Sequence, residues 1–388
     1  MTMTFTLETP TRILFGEGMI DELASQIGPE ERVLLLYGGG SIMRNGVHDR
    51  IRQALAGHVV TEFGGIEPNP EYETVMRAAV LAREEKVTFI LGVGGGSVID
   101  AAKFLSCAAP IGGGDAWDRM LGGRDLPEPL PSGAILTLPA TGSESNPVSV
   151  ISRTARGLKL PFKREAARPR FAILDPSTMK SLPRRQLENG VVDAVTHVLE
   201  QYLTLPVNAP VQHGYSEALL AVLFEWGPRL LVEDSDEARE NVMWAANQAL
   251  NGLIGAGVPQ DWSTHMIGHA LTALHGLDHA RSLSLVMPHL MRNRMPNKVA
   301  MLARYGRRVW GVAEADDRAA ADLAIARTED FFRRMNCPVA VRDVPGLAVS
   351  PDKVVQHLEE AGQLPLGENA DIGAAEVRAI LKAAGAAA

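Results

Sequence analysis

The chain has 388 residues, 46% of them hydrophobic, enough material for two domains with a core in each. Lys and Arg total 38 against 46 Asp and Glu, a formal charge of -8, so a nucleic-acid backbone is a poor partner and a small molecule a better one. No apolar run reaches the roughly 18 residues of a membrane span, and the opening MTMTFTLETPTRILFGEG lacks a basic stretch leading into an apolar one. A cytoplasmic protein is therefore expected, with no membrane partner. Cys107 and Cys337 fit a reducing compartment and provide neither a disulfide framework nor a CxxC metal site.

Short apolar runs, each closed by glycine or proline, fill the first half: RVLLLYGGG (32–40), VVTEFGGI (59–66), TFILGVGGG (88–96), AILTLPA (134–140) and FAILDP (171–176). Between them YETVMRAAVLAREEK (72–86) repeats apolar residues at helical spacing. Strands alternating with helices predict a mostly parallel sheet covered on both faces. From about Pro183 the β-branched runs give way to patterns such as RENVMWAANQALNGLIGAG (239–257) and DRAAADLAIARTEDFFRRM (317–335), which predict an all-helical second half. The expected domains are 1–180 and 181–388, with a cleft between them as the default place for a site.

Three polar turns follow strands in the first half. GVGGGSVIDAAK, from Gly92 to Lys103, opens a helix, and Gly94, Gly95, Gly96 and Ser97 would let a pyrophosphate approach the helix N-terminus. A tight strand-to-helix turn explains the same letters, since the spacing is not GxGxxG. Asp100, one turn in, is either a first-turn acid or a cofactor contact. At YGGGSIMRNG the strand end has no acid; Gly38, Gly39, Gly40 and Ser41 leave room and donors, with Arg44 one turn on, which favours NADP over NAD. TLPATGSESNP adds Thr137, Thr141, Gly142 and Ser143 as donors at the same sheet edge.

The second half concentrates histidines. In VVDAVTHVLEQYL, Asp193 and His197 stand at i and i+4 on an otherwise apolar helix face, where a carboxylate needs a partner. Glu200 reads as a surface or supporting acid. DWSTHMIGHALTALHGLDHARS then holds His265, His269, His275 and His279 out of 10 histidines in the chain. His265 and His269 share a face, His275 and Gly276 end that helix, and His279 is expected in the loop beyond. Two of these rings with Asp193 and His197 would make a four-ligand N/O site without thiolates, suited to zinc or iron. Spacing leaves His265 with His269 and His265 with His279 equally open.

GGGSVIDAAK, DAVTH and HMIGHALTALHGLDH resemble, in order and spacing, the signatures of the iron-containing (group III) alcohol dehydrogenase family. YGGGS, FGGIEPNP, LPATGSES, NGLIGAGVPQDW and LGEN resemble its bacterial NADPH-dependent aldehyde reductases and butanol dehydrogenases. The resemblance implies an α/β Rossmann-like nucleotide-binding domain followed by an all-α metal-binding domain, the dehydroquinate synthase-like fold. Its metal ligands fall on Asp193, His197, His265 and His279, and no ligand falls on His275. His269 matches a position near nicotinamide and substrate where a proton relay is suggested. Gly94 to Ser97 match the pyrophosphate loop, with Asp100 beside it; Lys159 matches a lysine near the cofactor, and Gly39 the place where NAD-preferring relatives carry aspartate. Ala280 departs from the usual glycine. The implied activity is reversible hydride transfer between NADP(H) and short- to medium-chain aldehydes or primary alcohols, by a homodimer holding zinc or iron. The rival readings are a dehydroquinate synthase-like lyase, whose usual ligands are a glutamate and two histidines, and a non-catalytic metal-binding relative.

Overall fold

The computed structural model describes residues 3–123 and 126–386. The chain divides into two compact units, one from Glu8 to Pro183 and the other from Arg184 onward together with the stretch ending at Leu7.

The first unit is built on a six-stranded sheet, parallel throughout, of β1 (Arg12–Phe15), β2 (Arg32–Tyr37), β3 (Val59–Phe63), β4 (Phe89–Gly95), β5 (Ser132–Leu138) and β8 (Phe171–Leu174), in the order β1-β8-β5-β4-β2-β3. The five runs predicted as strands are all in it. In four of them the unbroken apolar character has a simple cause, that both faces are covered; β3, VVTEF at the sheet edge, is only exposed to half-buried. Val33 and Leu35 point into one core with Phe89 and Leu91, while Leu34 and Leu36 point into another with Ile90, Val98 and Phe104. Helices α1 (Ser41–Arg44), α2 (Val47–Ala54), α3 (Tyr72–Glu84), α4 (Gly96–Ala108) and α5 (Ala116–Gly122) belong to this unit. So does an antiparallel hairpin of β6 (Val148–Arg153) and β7 (Leu158–Lys163), turned at Gly157 with φ 63. The hairpin has no counterpart among the predicted elements.

Strand order fixes where a ligand can sit. After β3 the chain returns to the other side of β2 to make β4, so the order reverses between β2 and β4, and ligands bind outside the carboxyl ends at such a point. Those ends carry Gly38–Ser41 and Gly94–Ser97, and neighbouring β5 carries the third turn, with Gly95 in register with Leu138.

The second unit holds α6 (Arg184–Tyr202), α7 (Pro210–Leu230), α8 (Asp236–Ala249), α9 (Ser263–His275), α10 (His279–Val309), α11 (Asp317–Arg334), α12 (Pro351–Glu360) and α13 (Ala374–Ala383). The helical pattern expected over 239–257 stops at Ala249, because Asn251 turns the chain by accepting from the Leu253 N–H at 2.9 Å and Gly252 takes φ 104. No helix among the described residues is long and apolar enough to cross a membrane. Both cysteines are buried and unpaired.

Candidate metal centre and cofactor-binding turns

Helix α6 brings Asp193 and His197 to one buried face. Helix α9 brings His265, and α10 begins with His279, which is therefore the first residue of a helix rather than part of a loop. The reason is that Gly276, φ 66, ends α9 and Asp278 starts the next helix two residues later.

Asp193, His197 and His265 form a compact buried group whose ligand atoms lie within 4.8 Å of one another. Asp193 Oδ1 faces His197 Nδ1 at 3.5 Å, His265 Nε2 at 3.8 Å and His279 Nε2 at 3.8 Å, while His265 Nε2 stands 3.0 Å from His197 Nε2. His279 sits at the rim, with 23% of its side chain exposed, outside the compact group. In a tetrahedral site with bonds of about 2.0–2.1 Å the ligand atoms stand about 3.3–3.4 Å apart, and the observed separations bracket that spacing. Asp193 Oδ1 is buried without a hydrogen-bond donor among the described residues. Such an oxygen, faced by three imidazoles and no thiolate, fits a divalent cation of the zinc or iron type.

Burial would raise the Asp193 carboxyl, yet the facing His197, His279 and His265 rings hold it well below the usual carboxylate range. Burial likewise disfavours charge on His265, but Glu200 and Asp193 push it up to about 9. Glu200 is itself buried, which raises its pKa, and it grips the start of α9: Oε2 meets His265 Nδ1, and Oε1 accepts from the Thr264 N–H at 2.6 Å. A carboxylate on Nδ1 leaves Nε2 turned toward Asp193 and His197, the orientation a metal-ligating imidazole needs. Glu200 is thus a supporting acid. Trp262 walls the group, its ring 5.4 Å from that of His265 and 6.1 Å from that of His197. Gly268 allows α10 to approach α9, since a Cβ there would meet Leu283 Cδ2 at 2.7 Å and Ser282 Oγ at 3.0 Å. His269 is buried with its ring centre 5.0 Å from that of His279 and 6.1 Å from that of His265. His275, at the far end of α9, is outside the group.

The glycine turns of the first unit differ in what their glycines do. A Cβ on Gly94 would meet Val98 Cγ2 at 2.6 Å, on Gly95 Leu138 Cβ at 3.1 Å, and on Gly96 Thr141 Oγ1 at 2.5 Å. Here glycine first answers the chain's own packing, the strand-to-helix alternative of the sequence reading. Gly39 is the opposite case: it is exposed, with nothing within 4 Å of a Cβ. Gly40 takes φ 80 and caps α1 ahead of exposed Ser41 and Arg44, while a Cβ on Gly38 would meet the Ile66 carbonyl oxygen at 3.3 Å.

Asp100 braces the third turn. One carboxylate oxygen accepts from Ser143 Oγ at 2.5 Å and the other from the Val150 N–H at 2.9 Å. Lys103, 1% exposed and given no role by its sequence context, donates to the Ser143 carbonyl at 2.9 Å, to Asn146 Oδ1 at 3.1 Å and to the Val148 carbonyl. Thr141 Oγ1 accepts from the Ser143 N–H at 3.2 Å, and Thr137 is buried at the end of β5. Asn69, also missed, joins two predicted residues: its N–H donates to Ser97 Oγ at 3.3 Å and its Oδ1 accepts from Lys159 Nζ at 2.7 Å. Its φ of 60 is a conformation that asparagine tolerates better than most residues.

Two family models match. Residues 10–176 match iron-containing alcohol dehydrogenase, and residues 188–385 match the C-terminal domain of the Fe-containing alcohol dehydrogenase family. The chain belongs to the iron-containing alcohol dehydrogenase family. Within it, the chain is 50% identical to the NADPH-dependent aldehyde reductase YqhD of Escherichia coli, over 98% of this chain and 99% of the relative. It is 34% identical to the NADH-dependent butanol dehydrogenase A of Clostridium acetobutylicum, over 92% and 93% of the two chains. The crystal structure of E. coli YqhD superposes with a TM-score of 0.96, covering 98% of each chain. That of the NADH-dependent butanol dehydrogenase A of Thermotoga maritima superposes with a TM-score of 0.93 at 32% identity, also covering 98% of each. The dehydroquinate synthase-like lyase finds no support at the centre, since Glu200, the glutamate beside it, is committed to His265 Nδ1.

Proposed function

We propose that this iron-containing alcohol dehydrogenase reduces short- to medium-chain aldehydes with NADPH, and runs in reverse on primary alcohols, at a divalent metal, iron or zinc, held by Asp193, His197, His265 and His279. The observation that carries the reading is the buried Oδ1 of Asp193, outside hydrogen-bond geometry with any donor among the described residues, with three imidazole nitrogens 3.5–3.8 Å away. When bound, the metal supplies Lewis acidity to an aldehyde oxygen and the nicotinamide supplies the hydride. Asp193 contributes the negative charge of the ligand set, Glu200 fixes the tautomer of His265, and Trp262 limits water at the rings. His269 is assigned the proton relay, a reading supported by its ring centre lying 5.0 Å from that of His279.

In the α/β unit the pyrophosphate is assigned to the N–H groups of Gly94 to Ser97 at the start of α4, the adenosine end to Gly38–Ser41, and the remaining contacts to Thr137, Thr141 and Ser143. Asp100 and Lys103 brace that third turn, and Lys159 acts with Asn69. The NADP preference rests on open space at Gly39 beside exposed Ser41 and Arg44. Gly39→Asp adds a carboxylate without steric conflict and is expected to lower kcat/KM for NADPH about tenfold or more while sparing NADH, a loss of about 1.4 kcal/mol. Steady-state kinetics with both cofactors checks this; an unchanged NADPH to NADH ratio would contradict it. The activity itself is tested by following NADPH absorbance with butanal, where no consumption with any aldehyde would mark a non-catalytic relative. A cytoplasmic homodimer completes the proposal. It is supported by two buried free thiols and by β1, which ends the sheet with one edge unpaired among the described residues.

A further inference from the structure

Asp278 occupies the N-cap position of α10, immediately before His279, yet its carboxylate makes no capping hydrogen bond to its own helix. An aspartate at this position ordinarily accepts from the N–H groups one turn on and stabilises the helix by about 1 kcal/mol. Here the same oxygen, Oδ2, accepts instead from Arg185 Nε at 2.7 Å and Asn189 Nδ2 at 2.9 Å, both on α6. A second tie runs beside it, from Arg281 on α10 to buried Glu188 on α6 at 3.3 Å.

The donors fall in a pattern. Arg185, Asn189, Asp193 and His197 follow one another at intervals of four residues along α6, and Glu200 comes three later, so all five share one side of the helix. Read along that stripe, the first two hold the residue before His279, the next two belong to the centre, and the last orients His265. His279 differs from the other three. It is the first residue of its helix, stands at the rim of the group, and lies outside the compact cluster of the other three.

We propose that Arg185, Asn189 and Asp278 form a clamp that sets the position of His279, making them positioning residues for the metal centre rather than ordinary surface ion-pair and capping residues. This rests on the reading of Asp193, His197, His265 and His279 as metal ligands. The clamp gives up local helix capping in exchange for registering α10 against α6, the helix that carries two of the ligands.

The decisive variant is Asp278→Ser, because serine is a good N-cap: it restores capping of α10 while removing the tie to α6. The metal-free protein is titrated with Co(II) alone, reading affinity and the visible d–d spectrum, beside thermal unfolding of the metal-free form. Asp278→Ser and Asn189→Ala are each expected to weaken Co(II) binding about 10- to 100-fold, the size of effect seen when a supporting partner of a ligand is lost. Their spectra should also change, while the Tm of metal-free Asp278→Ser stays at or above that of the wild type. Asp278→Glu, which keeps the carboxylate, should recover part of the loss. Asp193→Ala serves as the reference and should lose Co(II) binding altogether. If Asp278→Ser and Asn189→Ala bind Co(II) with wild-type affinity and spectrum while Asp193→Ala does not, the clamp is refuted and the centre stands. If Asp193→Ala also binds as the wild type does, the centre itself is wrongly placed and the clamp falls with it.

Discussion

Replacing Asp193 by Ala should leave a folded protein that retains no metal and turns aldehydes over about 10^3- to 10^4-fold more slowly, about 4–5.5 kcal/mol of barrier. Asp193 supplies the negative charge of the proposed ligand set, and its Oδ1 is the atom on which three imidazoles converge. Without it, three neutral rings would have to hold a dication by themselves in a buried site. Elemental analysis after dialysis, with NADPH oxidation and thermal unfolding on the same sample, separates loss of metal from loss of fold. His269→Ala, by contrast, should keep the metal and lose rate alone. A metal-replete, fully active Asp193→Ala protein would contradict the assignment.

The second large effect lies in the other unit. Lys103→Met is expected to destabilise the α/β unit by about 3–5 kcal/mol, the cost of breaking a buried, hydrogen-bonded charge and leaving its partners unpaired. Burial pulls the Lys103 pKa below the ordinary lysine value, opposed by Asp100 at 3.4 Å, and the ammonium gathers carbonyl groups from Ser143, Asn146 and Val148 around one point. Methionine fills similar volume but strands those acceptors and takes the neighbouring cation from Asp100, whose oxygens keep the Ser143 and Val150 donors. The turn from Thr141 to Val148 would lose its anchor, so NADPH affinity should fall along with stability. Urea unfolding and NADPH fluorescence titration measure the two; an unchanged midpoint and an unchanged Kd would show that the turn holds its shape without the lysine.

These two residues mark what the letters alone could and could not convey. Asp193 and His197 were legible because a helix turns 3.6 residues at a time, so that i and i+4 on an apolar stripe declare both burial and partnership. Lys103 was not, because its partners lie 40 to 45 residues downstream and only the folded turn brings their carbonyls to it. The same separation hid Asn69, whose contacts are 28 and 90 residues away. His279 was misplaced for a local reason: glycine at 276 announces a helix end plainly, whereas Asp278 starts the next helix without using its side chain as a cap. Four of the five apolar runs revealed the sheet because strands buried on both faces need no alternation, while β3 at its edge is only half-buried. The β6–β7 hairpin, with proline at position 161 and lysines at 159 and 163, carried no comparable run. Geometry also recast the glycines of α4's start, which the sequence offered to a ligand and the fold uses first to seat Val98, Leu138 and Thr141.

The most direct test of the account is NADPH oxidation with butanal before and after treatment with a chelator, followed by add-back of Fe(II) or Zn(II). The expected result is turnover that prefers NADPH to NADH, vanishes on chelation and returns with metal. Turnover that survives complete removal of the metal would contradict a centre built on Asp193, His197, His265 and His279.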